Sequence, residues 1–303
     1  MHKTSFYEQT SKNKRYSQIL IILVFCVLVV FSYVIGRVFS PGSTLLFLIF
    51  GTLFSVGYIW YTYYNSDKIA LSSVSAYPAE GPQFQQLRNV VEEMAIAGGM
   101  PSPRVYVMPS PDLNAFAAGR DPEHSVVCVT EGLIKTLNRQ ELQAVIAHEL
   151  THIRNYDIRF VTLVAAMVGL VSIVSQMFLR SLWWGSLTGG RQSRSRGGGN
   201  LAFLVLGVLL AVLAPFIVKL VQLAISRRRE YMADAGGVEL TRYPQGLVSA
   251  LRKIKSGYSG GPKTRGNAAV APLFIEDPIK NRLMSLFNTH PPIDERIKIL
   301  ESM

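Results

Sequence analysis

His148 and His152 stand four residues apart, with Glu149 directly after the first, in the stretch Ala147-His148-Glu149-Leu150-Thr151-His152. On a helix, residues four apart share a face, so both imidazoles can close on one metal ion. Glu149 lies about 100° further round, within reach of a water on such an ion and poorly placed to be a ligand. Two imidazoles, an open position for water and a carboxylate to take a proton are the parts of a zinc hydrolase. The competing reading is two ordinary helical histidines, and context has to decide between them.

A catalytic zinc needs three protein ligands beside its water. The chain has two cysteines, Cys26 in an apolar run and Cys128 in an expected strand, neither in a CxxC pair. A disulfide scaffold is therefore excluded, unpaired thiols fit a reducing compartment, and the ligands must be nitrogen or oxygen. Candidates for the third are His2, His124, His290 and the carboxylates. Glu230 is favoured because Glu230 and Asp234 again stand four apart on an expected helix. That spacing lets Glu230 coordinate while Asp234 hydrogen-bonds the far nitrogen of a ligand imidazole, fixing its tautomer. The alternative is a solvated glutamate following the Arg227-Arg228-Arg229 run.

These residues need elements to carry them. Asn138-Arg139-Gln140-Glu141 has the N-cap and third-position glutamate of a capping box, which starts the histidine helix. Before it, helical spacing runs over 84–97 (Phe84, Leu87, Val90, Val91, Met94) up to Gly98-Gly99, followed by strands at 103–108, 114–119 and 125–129. The slender Asn114-Ala115-Phe116-Ala117 strand would let another backbone approach, as when an extended substrate adds to a sheet edge. A plain interior strand is the equal alternative. Further on, 244–254 is patterned as a helix and 256–268 is a Gly/Lys/Asn-rich loop.

Four uncharged apolar runs surround these elements, at 17–36, 44–63, 160–179 and 201–218. The first two are long enough to cross a bilayer, are joined by a Pro41-Gly42 turn, and end in Tyr58, Trp60, Tyr61, Tyr63 and Tyr64, an interfacial aromatic belt. A signal peptide would have a shorter core and a cleavage site. The basic residues 1–18 put that end on the cytoplasmic side. The second pair sits around a Trp, Gly, Ser and Arg loop at 180–200, whose four arginines oppose the charge rule if both runs span; the pair can equally be partly embedded against protein. No internal repeat is present.

The mean hydropathy of +0.24 is too apolar for an ordinary soluble enzyme. The net charge of +11 is carried by residues 1–18, 180–200 and 219–229, each flanking an apolar run, where basic side chains meet lipid headgroups. With no basic domain face and no nucleic-acid motif, nucleic-acid binding is not expected. The expected organisation is a tail and transmembrane hairpin at 1–64, a protease domain at 65–157 and 226–303, and a second apolar hairpin at 158–225 inserted into it.

His148-Glu149-Leu150-Thr151-His152, Glu230-Tyr231-Met232-Ala233-Asp234, Asn114-Ala115-Phe116-Ala117 and Thr289-His290-Pro291-Pro292 together resemble the HtpX family of membrane metalloproteases, relatives of the type I CAAX prenyl protease. The resemblance covers essentially the full chain. It implies an α+β fold: a mainly helical membrane protein with a gluzincin-like zinc protease domain carrying a small sheet. It implies one zinc on His148, His152 and Glu230, with Glu149 as general base and acid and Asp234 behind a ligand. It assigns His290 to the oxyanion of the tetrahedral intermediate and Arg296 to bracing that loop. It also implies a multi-pass protein of the bacterial inner membrane, catalytic part in the cytoplasm, hydrolysing membrane-protein or other polypeptide substrates in stress-linked quality control. Three rivals define the tests: a scaffold or chaperone-like factor with a closed structural metal, a metal transporter, and a CAAX-type prenyl protease. The transporter requires ionisable groups inside the spans, where only Lys219 stands, near an end.

Overall fold

The computed structural model describes residues 6–39, 41–164, 227–257 and 291–303. His290, the loops at 180–200 and 258–268, the run at 201–218 and all but the first residues of the run at 160–179 lie outside the described residues.

Two long helices come first, α1 (Phe6–Phe39) and α2 (Thr44–Tyr64), joined by a 3-10 turn at Pro41–Ser43. Both are long and apolar enough to cross a membrane. Residues 6–18, read from their polarity as a tail, instead continue the first span as one helix. On α2, Leu45, Leu46, Phe50, Leu53 and Phe54 point outward, as side chains solvated by lipid do. At its far end Tyr64 lies under the Arg120 guanidinium, 4.8 Å from the ring centroid. Arg159 reaches toward Tyr63 and Tyr156, at 5.7 and 5.1 Å.

The chain then folds around a four-stranded sheet: β1 (Tyr77–Pro78), β2 (Arg104–Met108), β3 (Ala115–Gly119) and β4 (Ser125–Thr130), in the order β1-β2-β4-β3. β4 is central, parallel to β2 and antiparallel to β3. Its side chains alternate between the faces, as the two-residue period of a strand requires. Val126 and Cys128 join Ala70 and Leu71 of α3 (Ser66–Ser73), while Val127 and Val129 face α4 (Gln85–Ala97) and the histidine helix. The turn from β3 into β4 needs a glycine. Gly119 has φ +140°, and a Cβ there would stand 2.3 Å from the His124 carbonyl oxygen.

After the short α5 (Glu131–Thr136) comes α6 (Arg139–Arg154), the central rod of the domain. It is packed by α4, β3, α8 (Arg227–Thr241) and α9 (Pro244–Ser256). Leu142, Val145, Ile146, Ala147, Leu150 and Ile153 fill the main core with Leu87, Val90 and Val91 of α4. Each fully buried branched side chain here is worth about 1.5–3 kcal/mol, so α6 is held from nearly all sides. Residues 157–164 are helical, α7. Its Phe160, Leu163 and Val164 pack on Leu20 and Val24 of α1. The C-terminal α10 (Ile293–Glu301) closes on α9 through Ile297 and Leu300.

Candidate metal centre

The capping box forms as the spacing predicts. Asn138 Oδ1 accepts the Glu141 N–H at 3.0 Å, and Glu141 Oε2 accepts the Asn138 N–H at 2.8 Å. Lys253 and Ser249 of α9 also donate to Glu141, at 2.7 and 2.5 Å. This fixes the start of α6, and from it the helical phase of His148, Glu149 and His152, all turned inward.

The two imidazoles meet edge to face, their Nε2 atoms 3.2 Å apart. Glu230, in the first turn of α8, brings Oε2 to 3.7 Å from His148 Nε2 and Oε1 to 3.6 Å from His152 Nε2. Ligand atoms of the three residues thus lie within 4.8 Å of one another. α8 comes this close because Gly236 and Gly237 face α6. A Cβ on Gly236 would stand 2.5 Å from Thr151 Cγ2, and one on Gly237 3.1 Å from the His148 backbone nitrogen.

Each imidazole has a carboxylate behind it. His148 Nδ1 is 2.9 Å from Asp234 Oδ1, and His152 Nδ1 is 3.0 Å from Asp157 Oδ2. A carboxylate accepts, so each ring presents an Nδ1–H to it, and in the neutral form that metal ligation requires Nε2 is then the atom whose lone pair faces inward. Two lone pairs and a carboxylate then converge on one point, which is the donor set of a zinc site. The 3.2 Å between nitrogens is close to the edge of a tetrahedron with zinc–nitrogen bonds, about 3.3 Å. The residues present fit a zinc ion.

Electrostatics follow from this crowding. Burial raises Glu149 above the usual carboxylate range; His148, His152 and Arg296 oppose this and Glu230 adds to it. Burial alone would lower His152, but the Asp157 hydrogen bond and the charges of Glu230, Asp157 and Glu149 take it up to about 9. Burial likewise opposes ionisation of Asp234, yet Arg296 and His148 hold it down to about 2. Arg296 is 1% exposed and grips Asp234 through Nε at 2.9 Å and Nη2 at 2.6 Å.

Of the sequence candidates, His148, His152, Glu149, Glu230 and Asp234 come together here. His124 does not. It lies in the 3-10 turn before β4, its ring 2.7 Å from Asp121. Arg296 secures the carboxylate behind His148; the His290 loop that it is expected to brace lies outside the described residues. Asn114, Ala115, Phe116 and Ala117 are buried in and beside β3, which among the described residues pairs only with β4. Asp157 was missed. Five residues after His152 on an unbroken helix it would face about 140° away. The break that returns it is a left-handed backbone at Tyr156, φ +60°, a residue type that gives no warning of such a turn.

Comparison with known proteins agrees with this geometry. Residues 82–303 match Peptidase family M48. A "Protease HtpX homolog" of Caldanaerobacter subterraneus subsp. tengcongensis is 45% identical across 100% of this chain and 99% of its own length. One of Thermoanaerobacter pseudethanolicus is 44% identical over 100% and 99%. Among solved structures, that of S. mikatae Ste24p shares the fold, with a TM-score of 0.50 and 20% identity over 96% of this chain and 67% of that one. With matches of this length on the sequence side, a similar fold and a convergent His-His-Glu group, the chain belongs to peptidase family M48 as an HtpX-like membrane metalloprotease.

Proposed function

We propose that the chain is a zinc endopeptidase that hydrolyses peptide bonds of misfolded or damaged membrane proteins, with one ion held by His148, His152 and Glu230. The observation that carries this reading is the convergence of these three donors from α6 and α8, with Glu149 buried beside them. Zinc bound there supplies a Lewis acid that polarises the scissile carbonyl and makes water more acidic. Glu149, raised above the ordinary carboxylate range by burial, takes a proton from the attacking water and later gives it to the leaving amine. Asp234 and Asp157 keep the two imidazoles in register. β3, which ends the sheet order among the described residues, is the strand along which an extended substrate would add, at Ala115, Phe116 and Ala117. His290 is the family-implied partner of the oxyanion. The protease domain, 65–157 with 226–303, is interrupted by the apolar segment 158–225 and works at the cytoplasmic face of a bacterial inner membrane, as the basic N-terminal end suggests.

The test is cleavage of casein by detergent-purified full-length protein, with zinc measured on the same samples. Glu149→Gln is expected to keep its zinc and lose about 10²–10⁴-fold in turnover. Glu230→Ala is expected to lose the metal. Parental cleavage by the first variant would remove Glu149 from the chemistry, and parental zinc content in the second would reassign the third ligand.

A further inference from the structure

Asn13 is an odd residue to bury. It stands on α1 beside Lys14, Arg15 and Tyr16, all exposed, yet it is itself 2% exposed. It shares a face with Ser17, Leu20 and Val24, at spacings of four, three and four, and this seam is the buried side of α1. Leu20 and Val24 dock on Phe160, Leu163 and Val164 of α7, so the lower seam anchors the helix by apolar contact alone. An amide at the top of the seam adds no hydrophobic energy and costs about 1–3 kcal/mol if its hydrogens are unmatched. Both are matched. Nδ2 donates to the Asn155 carbonyl at 2.9 Å and to Asp157 Oδ1 at 2.6 Å. The other oxygen of that carboxylate faces His152 Nδ1 at 3.0 Å. The first contact pins the turn that ends α6; the second sets the rotation of the carboxylate that holds the imidazole.

We infer that Asn13 is a positioning residue of the metal centre, acting from the first membrane helix through Asp157 on His152. The site is then finished by the docked anchor. The inference rests on the reading of His152 as a metal ligand. Partners that orient metal-bound histidines typically change affinity by about 10–100-fold. Asn13 acts one bond further out, so its removal should cost about three- to tenfold.

The test uses full-length protein in detergent, with zinc affinity measured by competition against a chelator and cobalt(II) as a spectroscopic probe. Asn13→Ala is expected to weaken zinc by that factor and to shift the visible cobalt bands, which a purely structural role would leave alone. Ser17→Ala, one turn along the same seam, should match the parent in both. In an Asp157→Ala background, Asn13→Ala should add no further loss. Parental zinc affinity and cobalt bands in Asn13→Ala overturn the inference, as does an undiminished loss when Asp157 is already gone. If Asn13→Ala does not fold, Asn13→Ser, which keeps one donor, should fall between parent and Asp157→Ala; parental affinity there overturns it equally. His152→Ala separates the two levels. If it leaves zinc affinity unchanged, the metal reading itself fails; if it weakens zinc while Asn13→Ala does not, only the present inference falls.

Discussion

His148 and His152 are the same side chain turned toward the same point, yet they are supported from opposite ends of the chain. Behind His148 stands Asp234 of α8, itself clasped by Arg296 of α10, a fully buried arrangement among the helices packed on α6. Behind His152 stands Asp157, just past the end of α6, held by Asn13 of α1. His152 is also the more open of the pair, its side chain 15% exposed against 2% for His148. One support is thus part of the folding core, and the other is a docking contact. Both carboxylates are buried, but Asp234 holds the Arg296 guanidinium at 2.6 Å whereas Arg229 stands 3.9 Å from Asp157, so removing Asp234 orphans the more tightly paired charge.

That difference predicts unequal responses to matched changes. Asp234→Ala leaves Arg296 buried without its carboxylate and should cost about 3–5 kcal/mol of stability, with weaker zinc binding on top. Thermal denaturation in detergent measures it, and a melting temperature near the parent's would mean that the His148 side is not part of the core. Asp157→Ala should lower zinc affinity about 10–100-fold while shifting the melting temperature far less. Equal destabilisation by the two substitutions would erase the distinction. Gly236→Ala, which forces α8 away from Thr151, should cost about 1–3 kcal/mol by overpacking. It moves Glu230 relative to both imidazoles, so zinc affinity should fall with stability; a stable variant with parental affinity would show that α8 has slack.

The smallest effect concerns the start of the helix that both imidazoles share. Burial pushes the Glu141 carboxyl up, but Lys253, Ser249 and the Asn138 N–H together hold it below its ordinary value. A group depressed in the folded state contributes stability above its unfolded pKa of about 4.3, and that contribution is lost as pH falls through the lower folded value. Glu141→Gln should therefore melt a few degrees below the parent at neutral pH, about 1 kcal/mol, and the two curves should converge in acid. A gap that persists unchanged below that range would assign the effect to shape and not to charge.

Much of this was legible in the residues themselves. The capping box, the spacing within α4, the three longer strands and the two pairs spaced four apart, His148 with His152 and Glu230 with Asp234, are local patterns, and local patterns survive folding. The parallel pairing of β2 with β4 was not legible, because strand order depends on which faces α3 and α4 cover. The N-terminal tail was misread for a related reason: polar residues 6–18 have an exposed side, but Asn13 and Ser17 belong to a seam whose partner lies far along the chain. The grip of Arg296 on Asp234, a carboxylate on another helix, was not legible either. Contacts that cross the chain leave no periodicity to read.

The left-handed residue at Tyr156 carries a consequence for how this protein can vary. A strained φ of this kind is a cost of roughly 1–3 kcal/mol, and a glycine could occupy the position with less. Length is a different matter. Adding or deleting one residue between Arg154 and Asp157 would swing everything downstream by about 100°, rotating the carboxylate off His152 and carrying the Phe160 face away from α1. The joint can accept a change of residue type but not a change of spacing, so its geometry behaves as a fixed gear between α1 and the histidine helix.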